Sequence, residues 1–143
     1  MKKLVLLNLI GLLVLSMMGC EKKESKYSEE KLTLEYLIKL TGKFTGELDE
    51  IDNRIAIGRA MLEYSTEIKR IKPRLYQLEK ICPEFKTTYG YKNAPKELQP
   101  LFKQLGESLA HMKIIVEGKV AKFSHDKDLI KSYQKLQEAL FYY

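Results

Sequence analysis

MLEYSTEIKRIKPRLYQLEKIC, residues 61–82, is the stretch on which the fold turns. Met61, Tyr64, Ile68, Ile71, Leu75, Leu78 and Cys82 recur in it at strictly alternating spacings of three and four. That is the period of one helix face packing along a seam. A shorter row precedes it: Leu48, Ile51, Ile55, Gly58 and Leu62. At about 100° per residue the two rows centre about 160° apart. The stretch therefore either packs partners on both sides or breaks. Pro73 removes one helix hydrogen bond and its ring clashes with the carbonyl of Lys69. The basic run Lys69, Arg70, Lys72 suits a helix end just before it. Glu47, Asp49 and Glu50 suit a first turn for the same electrostatic reason. The reading is one long, kinked helical region from about Glu47 to Ile81, ended by Pro83.

Outward from this region the same period continues. Ser28 is placed to cap a first helix carrying Leu32, Tyr36, Leu40 and Phe44, fraying near Thr41-Gly42, with Gly46 a second weak point. Glu84 to Asn93 reads as a loop. A third helix starts at about Pro95, with Pro100 near its first turn, and carries Leu98, Leu101, Leu105, Leu109, Met112, Val116, Val120 and Phe123 as one apolar stripe. Ser124 or Asp126 caps a fourth helix with Leu129, Tyr133, Leu136 and Leu140. Strand alternation, sequence repeats and low-complexity tracts are absent. The expected fold is all-α: an antiparallel helical bundle of about four helices spanning residues 28–143.

Composition bounds the function. Hydrophobic residues are 45% of the 143-residue chain, enough for one modest core. The formal charge is +6, or +4 without Lys2 and Lys3. That balance favours anionic surfaces or acidic partners and is too small to argue for nucleic acid.

The first residues carry a different signal. Met1-Lys2-Lys3 precedes an apolar run from Leu4 to Leu15, too short to span a bilayer stably. Then comes Leu15-Ser16-Met17-Met18-Gly19-Cys20. This resembles the lipobox of bacterial lipoproteins, with Met17 where that family usually has Leu. The resemblance implies a signal peptide over residues 1–19, cleavage before Cys20, and a diacylglyceryl thioether on the Cys20 sulfur with fatty chains of the palmitate kind. Residues 20–27, polar from Glu21 to Lys26, then form a lipidated tether. Two or more acyl chains anchor a protein firmly. Glu21 is not the aspartate associated with inner-membrane retention, which points to the outer membrane, facing the periplasm, in a host with two membranes. With Cys20 acylated, Cys82 has no intramolecular partner. Its place on the seam suggests a small buried group, against an intermolecular disulfide or a nucleophile.

Chemistry-bearing patterns are sparse. Cys82 is followed by Pro83 and Glu84, which excludes a c-type haem attachment there, and no phosphate-cradling glycine loop or nucleophile elbow occurs. Glu107 and His111 share a helix face opposite the apolar stripe and read as a surface ion pair, so no catalytic residue, metal site or cofactor is expected. Two surfaces remain. Lys69, Arg70, Lys72 and Arg74 suit an anionic headgroup or acidic partner, or are simply a solvated helix end. Phe85, Tyr89 and Tyr91, with Lys86 and Lys92, suit a recognition loop, or else fold down to cap the bundle. Phe141-Tyr142-Tyr143 reads as a plug or as a tail for a partner. The resulting expectation is a non-enzymatic, lipid-anchored protein of the cell envelope acting through protein contacts as an accessory, assembly or inhibitory factor. The alternative is a bundle holding an apolar or anionic envelope ligand between its helices.

Overall fold

The computed structural model describes residues 25–87 and 89–141, and among these are five α-helices: α1 (Ser28–Glu50), α2 (Arg54–Arg70), α3 (Lys72–Ile81), α4 (Gln99–Lys122) and α5 (Lys127–Phe141). A short 3-10 turn, Gly90–Asn93, interrupts the connection between α3 and α4. Among the described residues there is no strand. The fold is the all-helical bundle that the periodicity implies.

The seam beginning at Met61 is buried at every position through Cys82. It crosses a kink, as expected, centred on Ile71. The Ile71 N–H donates to Glu67 O at 3.3 Å, and its own carbonyl accepts from the amides of Arg74 and Leu75 at 2.9 and 3.1 Å. Pro73 lies in the first turn of α3, where its missing N–H costs nothing.

The earlier row is different. It crosses a chain reversal at Ile51-Asp52-Asn53, so α1 continues through Gly42 and Gly46 and ends at Glu50. Glu47, Asp49 and Glu50 close α1 instead of opening a second helix. Asn53 opens α2: its Oδ1 accepts from the amides of Ile55 at 2.9 Å and Ala56 at 3.2 Å. Ile55 is 65% exposed and Leu62 36% exposed, so that row is no face at all. Of the apolar quartet expected on α1, Phe44 is buried and Tyr36 and Leu40 are half-buried against the core, and only Leu32 is misplaced. Residues four apart drift by about 40° per step, and Leu32 ends up 66% exposed. The buried face is Thr33, Leu34, Leu37, Thr41, Phe44, Thr45 and Leu48; the Thr45 hydroxyl bonds back to Thr41 O within the helix, and the Thr41 hydroxyl bonds Tyr64 on α2.

α4 begins at Gln99, after a turn in which Leu98 and Gln99 donate to Pro95 O at 2.8 and 3.1 Å. Its expected stripe is buried or half-buried throughout, joined by Phe102. Asp126, not Ser124, caps α5 by accepting from Leu129 N at 2.8 Å.

Consecutive helices form two antiparallel hairpins, α1–α2 and α4–α5, laid side by side in the same direction. Ser25 Oγ meets Glu97 Oε2 at 3.4 Å where α1 and α4 begin. At their other ends Lys119 Nζ donates to Asp49 O and Ile51 O, both at 2.7 Å. Arg54 and Asp126 pair where α2 and α5 begin. Gly58 lets these two helices approach closely, since a Cβ there would lie 3.2 Å from Ser132 Oγ. α1 thus packs along α4 and α2 along α5, with the core between the hairpins.

Candidate binding cleft

The two hairpins are filled differently. Between α1 and α2 the Phe44 and Tyr64 rings stack at 4.5 Å, and the Tyr64 hydroxyl hydrogen-bonds Thr41 Oγ1 at 2.8 Å. Burial pushes the Tyr64 phenol up to about 12. Nearer the chain entry, Tyr36 OH donates to Glu67 Oε2 at 2.9 Å, and Arg70 Nη2 meets the same carboxylate at 2.6 Å.

Between α4 and α5 lies a cleft of about 440 Å³. Leu109, Val116, Leu136 and Leu140 form its walls, and Leu37, Tyr64, Ile68, Leu75 and Leu105 its floor. Gly106 and Ala110 on α4 leave the space open by contributing almost no side chain. The polar lining is Lys86 and Thr87 from the loop, Lys113 and Glu117 from α4, and Tyr133 and Gln137 from α5. Lys113 and Glu117 are 3.8 Å apart and mostly exposed. Burial raises the Tyr133 phenol above its ordinary value, and the Glu117 charge adds to this.

The loop after α3 brings Lys86 to the cleft. Cys82 is fully buried, and its Sγ donates to Gly90 O at 3.2 Å. Burial pushes its thiol up, away from the thiolate a nucleophile needs. Gly90 passes so close to the Glu84 carbonyl that a Cβ would fall 1.8 Å from its oxygen, so this position tolerates glycine alone. Thr87 Oγ1 donates to Glu84 O at 2.9 Å, and Gln99 Nε2 to Ala94 O at 3.0 Å. So fixed, the loop drives Phe85 into the core against Phe102, ring centroids 6.1 Å apart. Lys86 stays half-buried at the rim, its Nζ 5.5 Å from the Phe85 ring centroid. Burial lowers its pKa, with Glu79 opposing.

The expected recognition residues are divided by this geometry. Phe85 is buried and caps the bundle, so it is withdrawn from any partner surface, and Tyr91 is half-buried. Tyr89 is 71% exposed, with Lys92 Nζ 5.4 Å from its ring centroid. Lys69 and Arg74 are exposed on either side of the kink; Lys72 is half-buried, with its Nζ 5.7 Å from the Tyr76 ring centroid. Arg70 is engaged by Tyr36 and Glu67, which raise its pKa. Glu107 pairs with Lys103 at 3.9 Å instead of His111, which is exposed. Among the described residues no group of three or more His, Cys, Asp or Glu side chains converges as a metal site would, and no helix is long and apolar enough to cross a membrane. Cys20 and the signal-like residues 1–19 lie outside the described residues, as do Tyr142 and Tyr143.

Lys113, Glu117 and Gln137 are not singled out by any sequence pattern. The available signal was Gly106 and Ala110, two small residues four apart beside the α4 stripe. No protein-family model, curated protein or solved structure matches the chain.

Proposed function

We propose that the protein is a lipid-anchored binding module of the cell envelope. Cys20 holds it to the membrane, and the cleft between α4 and α5 takes an apolar or amphipathic ligand. The observation that carries this reading is a cleft of about 440 Å³ with an apolar floor and polar groups at its rim. Small-molecule sites are typically concave, largely apolar and roughly 300–1,000 Å³, with a few polar groups that orient the ligand. The protein acts by binding rather than by catalysis. In the test, a neutral fluorophore that brightens in apolar surroundings is titrated into the protein. Bright, saturable binding that Ala110→Phe abolishes without lowering the melting temperature supports the reading. Unchanged binding by the folded variant overturns it. For the anchor, Cys20→Ser expressed in the host should leave the protein unacylated and uncut before residue 20, and normal processing would refute it.

Contact with a protein partner is the second reading. It is favoured by the exposure of Tyr89, Lys69 and Arg74. Charge reversal at Lys69 and Arg74 should then weaken association in the same way as added salt.

A further inference from the structure

Charge is distributed unevenly along the bundle. Residues 67–98, from the last turn of α2 to the start of α4, hold eight Lys and Arg against four Glu, a net of +4. The remainder of residues 25–143 holds thirteen of each sign and is neutral. At the end where the hairpins turn, Arg54 pairs with Asp126, and Lys119 and Lys122 pair with Asp52 at 3.5 and 2.9 Å. At the opposite end the carboxylates are engaged and cations remain. Glu67 meets Arg70, Glu84 accepts from Asn93 Nδ2 at 3.3 Å, and Glu97 accepts from Ser25. Lys69, Arg74, Lys80 and Lys96 are exposed there and form no ion pair among the described residues. Tyr89 stands in the same segment, 71% exposed, and an amphipathic ring suits the headgroup level of a membrane.

This is also the end at which the chain enters. Ser25 Oγ lies 3.4 Å from Glu97, and five residue steps separate Ser25 from Cys20. Fully extended, those steps span at most about 18 Å, whereas α1 alone is about 35 Å long. A lipid on Cys20 therefore holds the basic end within reach of the headgroups, while the neutral end is free to face away. We propose that α3 and the loop after it dock on anionic phospholipid headgroups of the membrane that carries the anchor. This rests on the anchor proposed above and adds an orientation to it. An acidic protein would meet the same charges, but the tether brings this end to a membrane.

The test places the full chain, purified from its host, in nanodiscs of phosphatidylcholine alone or mixed with phosphatidylglycerol. A water-soluble reagent acylates accessible lysines, and mass spectrometry follows each one. On the anionic discs Lys69, Lys80 and Lys96 should react roughly fivefold more slowly or less than on the neutral ones, the factor that one cation near an anionic surface confers. Lys43 and Lys127 should react alike on both, and raised salt should abolish the difference. Lys80→Glu combined with Lys96→Glu should weaken the protection of Lys69, and Lys127→Glu should not. Equal labelling of Lys69, Lys80 and Lys96 on both discs would overturn the docking and leave the basic end to the protein-contact reading. Equal slowing at every lysine, Lys43 and Lys127 included, would overturn the orientation. Intact mass of the same sample reads the anchor separately: slowing in a chain without acyl groups would refute the anchor and not the docking.

Discussion

The α1–α2 and α4–α5 hairpins have the same direction and similar polar caps, yet one is filled and the other is open. In the first, Tyr64 spans the gap, stacked on Phe44 and hydrogen-bonded to Thr41. In the second, Gly106 and Ala110 stand where a large side chain would close it, and charged groups line the rim. Helix length and capping set the two frames alike. The size of a few inward residues decides whether the frame becomes core or cleft. Burying a large aromatic stabilises a hairpin directly. Leaving that volume empty forgoes contacts, which a ligand restores.

The comparison breaks most severely at Tyr64. Tyr64→Ala should open the first hairpin as well, costing about 3–5 kcal/mol and leaving the buried Thr41 hydroxyl without its partner. A urea midpoint close to that of the unaltered protein would show that the ring does not hold the hairpin shut.

Alkali probes the same residue more gently. The Tyr64 phenol is raised from 10.0 to about 12, so the folded state keeps a proton that the unfolded chain loses first. The stability it contributes is present below pH 10 and lost as pH rises toward 12, on the order of 2 kcal/mol. Thermal melts across that range should show a steep decline, and Tyr64→Phe should flatten most of it. An equally steep decline in the variant would assign the effect elsewhere.

The turns should differ less. Asn53→Ala removes the α2 cap and is expected to cost about 1 kcal/mol in chemical denaturation. Asp126→Ala should lower the midpoint further, because that carboxylate both caps α5 and pairs with Arg54. The reverse order would mean that the Arg54 contact contributes nothing.

The smallest effect is a gain. A Cβ at Gly42 meets nothing within 4 Å, and the residue sits inside the continuous helix α1, so Gly42→Ala should stabilise by about 0.5–1 kcal/mol. No gain would mean that α1 breaks there after all.

Much of the fold was legible because the seam from Met61 to Cys82 carries its own period through the kink at Ile71. The reversal at residues 51–53 was not, because Leu48, Ile51, Ile55, Gly58 and Leu62 keep a helical spacing by coincidence across it. What distinguishes a reversal from a kink is Asn53 accepting two amide protons, and one asparagine between Asp52 and Arg54 is a weak sequence signal. The inward face of α1 was obscured by its threonines, which count as polar in any pattern yet satisfy their hydroxyls within the helix at Thr33 and Thr45 and on Tyr64 at Thr41. The loop was recognisable by composition. The inward turn of Phe85 was one of two readings of that loop, and what decides it, Gly90 passing the Glu84 carbonyl, is a contact between backbones that composition does not show. The cleft was least visible of all, being defined by side chains that are small.

The claim that one hairpin is open and the other closed is tested most directly by titrating the protein with a small apolar solute such as benzene and following methyl resonances. Dry apolar cavities take up such solutes. Saturable shifts should appear at Leu109, Val116 and Leu136 and be absent at Leu48 and Ile57 in the filled hairpin. Shifts of equal size in both hairpins, or none in either, would contradict the account.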